Sequence, residues 1–306
     1  MLHTVLNLGA TNKMSWNFPY ESITSIMDLL DRKELAMSKK FGQNFLLSKD
    51  VRNRIVNYME LSEDMNVWEI GPGIGSITSL ILKKGVNLTA FEIDYGFCKI
   101  LANEAFGDEA KFTLVEGDAL KTTLETFKNQ GVPDVVCGNL PYNVGSVCIA
   151  KLLENKCHPK KMVYTLQKEV AQRLCAPSGS KLYSSFSVLA QIDYDLSIVM
   201  DINSQAFYPV PNVVSSVIVM NKRRTSLVAD ELRETFIMVV RDLFAKRRKT
   251  IKNNLISGRC GKLYEKDILI KALDASGISP QDRAEKLSIG DFIKISEQVF
   301  IASKTK

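Results

Sequence analysis

With 306 residues, 45% of them hydrophobic, and a modest net charge of +6, the chain is long enough to bury one large core and a smaller second one. It holds no apolar run of the roughly 18 to 20 residues that cross a bilayer, and its start lacks the pattern of an export signal, so a cytoplasmic protein is expected. Six cysteines without a C-x-x-C pair, and only two histidines, His3 and His158, supply too few ligands at recognisable spacing for zinc; no metal is expected, and the thiols read as free and buried.

Residues 1 to 37 form an N-terminal extension in which Ile23, Ile26, Met27 and Leu30 have helical spacing after an irregular start. A helix packed on the domain that follows is expected. From 38 to 221, short runs rich in Val, Ile and Phe alternate with helix-like segments. Strands are predicted at Val67–Ile70, Leu88–Glu92, Phe112–Val115, Asp134–Gly138, Met162–Leu166, Leu196–Met200 and Val214–Met220. That rhythm predicts an α/β domain with a seven-stranded, mostly parallel, doubly wound sheet of Rossmann-like type.

From 222 to 306 the period becomes helical, with Leu232, Phe236, Val239, Val240 and Leu243 on one face, and a small all-α domain is expected. A helix beginning near Phe236 is predicted to turn Phe244, Ile251 and Leu255 inward and to spread Lys246, Arg247, Arg248, Lys249 and Lys252 over the remaining surface. This segment carries 19 Lys and Arg against 11 Asp and Glu, whereas the rest of the chain carries 21 against 23. An appendage that neutralises phosphates would show such asymmetry, and so would a solvated helical face; charge alone leaves both open.

In an open α/β sheet, ligands lie beyond the carboxyl ends of the strands near the point where strand order reverses. The loops there carry complementary groups. Gly71, Gly73 and Gly75 follow the first predicted strand, where the chain must turn sharply and expose its backbone. Glu92 ends the second, a place for a carboxylate that accepts ribose hydroxyls. Asp118 follows the third and is placed to accept a hydrogen bond from an adenine amino group. Glu69, before the turn, reads equally as a ligand or as a carboxylate serving nearby backbone amides. A dinucleotide dehydrogenase shares the glycine turn and the acid about twenty residues later. The G-x-G-x-G spacing and the Gly117-Asp118 pair favour S-adenosylmethionine, which has no pyrophosphate to seat on a helix N-terminus.

Asn139-Leu140-Pro141-Tyr142 follows the fourth predicted strand. An adenine amino nitrogen is a weak nucleophile because its lone pair is delocalised into the ring. Two acceptors aimed at its hydrogens favour a tetrahedral nitrogen, and the Asn139 side-chain oxygen with the Leu140 carbonyl are suited to that work. Pro141 stiffens the loop and holds Leu140 extended, and Tyr142 offers a ring on which a flipped base can stack.

Taken in order, Phe41 to Leu46, Glu69 to Thr78, Glu92-Ile93-Asp94, Gly117 to Leu120, Asn139 to Asn143, Gln167 to Leu174, Phe207 to Val213 and Phe244 to Lys249 carry a resemblance over about 39 to 288. The chain resembles the ribosomal RNA adenine N6-dimethyltransferases, of the bacterial type that acts on small-subunit RNA. The resemblance implies a class I methyltransferase domain with S-adenosylmethionine as cofactor. It implies that Asn44 and Leu46 cover that cofactor, with Gly71, Glu92, Asp118 and Asn139 completing the site, and that Phe207 stacks on the target adenine opposite Tyr142. It further implies two methyl additions on each of two adjacent adenines; a monomer acting on an immature small-subunit particle is expected, with Lys246, Arg247, Arg248 and Lys249 as the candidate grip on RNA phosphates. Gly145 and Ser184 depart from the family pattern. Two other readings stand beside it: a macrolide-resistance type of large-subunit methyltransferase, and a non-catalytic RNA-binding assembly factor on the same fold.

Overall fold

The computed structural model describes residues 16–35, 44–140 and 145–304. The chain divides into two units, Met1–Ala171 with Ser197–Lys222, and Gln172–Leu196 with Arg223–Lys306. The second takes in 172–196, which a boundary at 222 leaves with the sheet domain.

Among the described residues nine strands run in chain order: β1 (Phe45–Leu46), β2 (Asn66–Ile70), β3 (Asn87–Glu92), β4 (Phe112–Glu116), β5 (Val135–Asn139), β6 (Lys161–Gln167), β7 (Tyr194–Ile202), β8 (Phe207–Tyr208) and β9 (Ser215–Lys222). Seven of them make one sheet in the order β4-β3-β2-β5-β6-β9-β7. The five strands from β4 to β6 are parallel, and β9 pairs antiparallel with β6, Tyr164 opposite Ile218. The inner parallel strands β2, β5 and β6 are buried on both faces, which is why Val135-Val136-Cys137 reads as an unbroken apolar run. After β4 the chain returns to the other side of β2, so the order reverses between β2 and β5, and a crevice belongs at their carboxyl ends. Gly138 permits that approach: a Cβ there would lie 2.5 Å from the Ile70 carbonyl oxygen.

The predicted N-terminal helix forms over Ile23–Arg32, capped by the Ser22 side chain, which accepts from the Ser25 amide. Its buried stripe is Ile26, Leu29 and Leu30; Ile23 and Met27 of the expected face are 42% and 45% exposed. The inward residues join Tyr20, Phe45, Ile74, Phe97 and Ile100 in a cluster. Such burial contributes roughly 1.5–3 kcal/mol for each large aliphatic side chain.

In the helical unit, Arg233–Phe244 packs Phe236, Val239, Val240 and Leu243 into a core with Ile251, Leu255 and Phe292. Arg233 and Asp193, both buried, form an ion pair at 2.5 Å that ties the 172–196 segment to this helix. The predicted helix through the basic run is interrupted. One helix ends at Phe244, a turn occupies 245–250, and Thr250 caps a new helix, Ile251–Ser257. The Asn254 amide donates to the Leu243 and Lys246 carbonyls at 2.6 and 3.0 Å, satisfying acceptors that the break leaves open. Five of the six free cysteines are buried and Cys175 is half-buried. Among the described residues no helix is long and apolar enough to cross a membrane.

Candidate active site

Each functional side chain of the sheet unit is placed by the end of a strand. β2 stops at Ile70, and Gly71 and Gly73 adopt φ values of +70° and +58°, which residues with a Cβ rarely hold. The Gly71 amide donates to the Phe91 carbonyl at 2.9 Å, fastening the turn to β3. Glu92, the last residue of β3, is 5% exposed. Its Oε1 accepts the amides of Ile93 and Asp94 at 2.9 Å each, and its Oε2 accepts the Gly73 amide at 3.0 Å. Three of about four carboxylate acceptor positions are thus engaged by main chain, leaving one on Oε2. Burial pushes the Glu92 carboxyl up; the three amides oppose this and the Asp94 charge adds to it.

Glu69 bonds a side-chain hydroxyl rather than backbone amides. The Thr78 hydroxyl donates to its Oε2 at 2.7 Å, and the carboxyl is raised to about 7 by burial, against that hydroxyl, with the Glu92 charge contributing. Buried carboxyls of raised pKa at this end of the sheet mark it as a candidate functional site.

Asp118 is the N-cap of the helix Ala119–Gln130, its Oδ1 accepting the Leu120 amide at 2.9 Å. The capping bond fixes the carboxylate at the helix mouth through Oδ1, leaving Oδ2 outside that bond. Asn139 ends β5 beside the glycine turn: a Cβ on Gly71 would lie 4.0 Å from the Asn139 carbonyl oxygen. Its Nδ2 donates to the Asn44 carbonyl at 3.1 Å. That bond requires nitrogen on the Asn44 side, and so directs Oδ1 away from it as an acceptor. The Leu140 amide donates to the Thr165 carbonyl at 3.1 Å, and its side chain is buried. Pro141 and Tyr142 lie outside the described residues.

Phe207 and Leu46 pair across the antiparallel ribbon of β8 and β1, and each is 2% exposed in the core cluster with Met200, Ile202 and Val217. Successive residues of a strand point to opposite sides, so burying Phe207 and Leu46 turns Tyr208 and Phe45 the other way. Phe45 approaches the turn, its ring 3.7 Å from where a Cβ on Gly73 would stand. Sequence reasoning also passed over Arg52, a buried cation between these segments whose surroundings only the fold reveals. Gly145, a departure from the expected pattern, begins the helix Gly145–Glu154; a Cβ there would meet Leu166 at 3.0 Å and Leu140 at 3.1 Å, so close packing selects glycine.

In the helical unit Lys246, Arg247, Arg248 and Lys249 are all exposed on the turn. Arg247 is engaged: Nε donates to Glu285 at 3.0 Å and a terminal nitrogen to the Lys181 carbonyl at 2.6 Å. A separate polar cavity of about 160 Å³ lies at the opposite, amino ends of the strands, lined by Asn66, Trp68, Asn87, Thr89 and Lys111 among others.

A mostly parallel sheet with reversed strand order, a positive-φ glycine turn after its first strand and a buried carboxylate closing the next defines a doubly wound α/β enzyme with its ligand site at the strand-order reversal. The ribosomal RNA adenine dimethylase family profile matches residues 35–300, and the chain belongs to that family. It is 42% identical over 280 residues to the ribosomal RNA small subunit methyltransferase A of Treponema denticola, covering 91% of this chain and 94% of that protein. The protein of the same name from Borreliella afzelii is 39% identical over 284 residues, covering 92% and 96%. Among solved structures, a dimethyladenosine transferase from Plasmodium falciparum superposes with a TM-score of 0.69 at 22% identity over 81% of this chain and 94% of that one. The 23S rRNA methyltransferase ErmE superposes at 0.59 and 21% identity over 83% and 98%. These two show the shared fold.

Proposed function

We propose that the protein dimethylates the exocyclic N6 of adenines, two adjacent ones, in small-subunit ribosomal RNA, with S-adenosylmethionine as methyl donor. The observation that carries this reading is Asn139, held at the strand-order reversal with its nitrogen bound to the Asn44 carbonyl and its oxygen left as acceptor. The residues present fit the cofactor. The remaining acceptor position of Glu92 suits ribose hydroxyls, and Asp118 suits the adenine amino group. When bound, S-adenosylmethionine supplies a methyl group activated by positively charged sulfur. The Asn139 oxygen and the Leu140 carbonyl accept hydrogen bonds from the target amine and stabilise a tetrahedral nitrogen as it forms, an interaction stronger in the transition state than before it. Tyr142 is the base-stacking candidate, and the exposed basic turn of the helical unit suits RNA phosphates. The compartment this reading requires is the cytoplasm, where ribosomal particles mature.

A large-subunit target is the second reading, because the fold is shared with ErmE. Identities of 42% and 39% to small-subunit enzymes favour the first. Labelled-methyl transfer to unmethylated small-subunit particles and to protein-free large-subunit RNA separates them. Label is expected in the particles. Transfer to the large-subunit RNA alone would overturn the proposal, and transfer to neither would point to an assembly factor without turnover.

A further inference from the structure

Arg52 lies on the helix Lys49–Tyr58, which follows directly on the Asn44 to Leu47 segment, and it is 3% exposed. An arginine rarely tolerates such burial without partners, and its partners come from three separate pieces of chain. One terminal nitrogen donates to the Ser76 carbonyl at 3.4 Å, at the end of the glycine turn. The other donates to the Leu47 carbonyl at 3.4 Å and pairs with the Glu21 carboxylate. The guanidinium carbon also stands 5.2 Å from the centre of the Tyr20 ring, within cation–π range. A planar fork with five N–H donors can serve several main-chain oxygens in different directions at once, which an ammonium cannot.

The segment from Trp16 to Leu35 is fastened at both ends of the site. At one end are Glu21 and Tyr20, the latter accepting the Trp16 indole N–H at 2.8 Å. At the other, Lys33 pairs with Glu104 at 2.5 Å, and Leu35 covers Gly96 so closely that a Cβ there would lie 2.1 Å from it. Gly96 sits in the first turn of the helix Tyr95–Ile100, two residues past the Asp94 amide that Glu92 accepts. Between these ends Ile26, Leu29 and Leu30 pack with Phe45, Ile74 of the glycine turn and Phe97. The strap therefore touches the glycine turn, the β1 segment whose Asn44 carbonyl orients Asn139, and the helix that follows Glu92.

We propose that Arg52 is a positioning residue for the cofactor: with Glu21 as its counter-ion it locks the N-terminal strap against the glycine turn and the Asn44–Leu47 segment, and so sets cofactor affinity. The inference rests on the reading of the carboxyl edge as an S-adenosylmethionine site.

The test compares full-length wild type, Arg52→Met, Arg52→Lys and Glu21→Gln. The readouts are the Kd for sinefungin by calorimetry, KM for S-adenosylmethionine against kcat, and thermal unfolding without ligand. Arg52→Met is expected to raise the sinefungin Kd and the KM about tenfold and to lower kcat at saturating cofactor by less than that, because the slackened wall misplaces the cofactor directly and Asn139 only through the Asn44 carbonyl. Arg52→Lys should recover part of the affinity, and Glu21→Gln should lose less in the same direction. A lowered unfolding temperature with an unchanged Kd in folded protein would make Arg52 merely structural and overturn the inference. Should Arg52→Met fail to fold, Glu21→Gln decides, since that carboxylate is half exposed; a wild-type Kd in that variant overturns it equally. A wild type without measurable sinefungin binding would remove the reading of the site itself, and the inference with it.

Discussion

At the carboxyl ends of β3 and β5, and just past β4, Glu92, Asp118 and Asn139 are each fixed by hydrogen bonds to main chain, whereas Lys246, Arg248 and Lys249 stand exposed on a turn of the helical unit. On the proposed function, the difference follows the demands on each region. A small cofactor and a reacting nitrogen must be placed to a fraction of an ångström, so their partners are preorganised by backbone donors and burial. Phosphates along an RNA attract through longer-range charge, for which exposed side chains on a turn suffice. Arg247 is the intermediate case, exposed yet engaged by Glu285 and the Lys181 carbonyl.

Breaking the preorganised region should give the largest effects. Asn139→Ala removes both the acceptor and the bond to Asn44, and kcat for methyl transfer should fall about 100- to 1,000-fold, the typical loss for one preorganised hydrogen-bonding group in a transition state. Activity within a fewfold of wild type would remove Asn139 from the reaction. Glu69 comes next, through pH. Its carboxyl is raised from the ordinary 4.5 to about 7, so the folded protein holds a proton that the unfolded chain releases earlier. The stability it contributes is complete below the unfolded value and is lost as pH rises through about 7. Urea unfolding of ligand-free wild type should therefore lose roughly 3 kcal/mol relative to Glu69→Gln across that window; parallel pH profiles would show that Glu69 titrates normally.

Glu92→Gln sets an amide N–H₂ against a backbone donor, either that of Gly73 or those of Ile93 and Asp94. Losing a charge-assisted acceptor costs about 1.5–3 kcal/mol, so the sinefungin Kd should rise roughly ten- to a hundredfold. An unchanged Kd would confine Glu92 to holding the turn. The basic turn should respond most mildly. Replacing Lys246, Arg248 and Lys249 together by Ala should weaken RNA binding and flatten its salt dependence by roughly one unit of slope per lost phosphate contact. Arg247→Ala, which breaks bonds within the unit, should lower its unfolding temperature more than it flattens the slope. Equal slopes for wild type and the triple variant would make the turn a solvated surface.

The strands and the turn motifs were legible because burial on both faces writes unbroken Val and Ile runs, and because positive φ selects glycine at Gly71 and Gly73. The two-residue ribbon of β1 and β8 was not, since two residues show no periodicity, and the burial of Phe207 and Leu46 follows from that pairing. The break after Phe244 was hidden by good helix formers in Ala245 to Lys249, and it is enforced by the Thr250 cap and the Asn254 amide, whose partners lie across the break. The N-terminal helix was visible, but its buried face depends on Phe45, Ile74 and Phe97, which only the fold brings to it. Arg52 has the same character, an ordinary arginine in sequence and a three-way junction in space.

A crystal structure of the protein with sinefungin tests the central claim most directly. The expected result is a ligand at the carboxyl ends of β2 to β5, with its ribose on Glu92, its adenine amino group on Asp118 and its reactive end beside the Asn139 oxygen. Sinefungin lodged elsewhere, for instance in the polar cavity at the amino ends of the strands lined by Asn66 and Lys111, would contradict it.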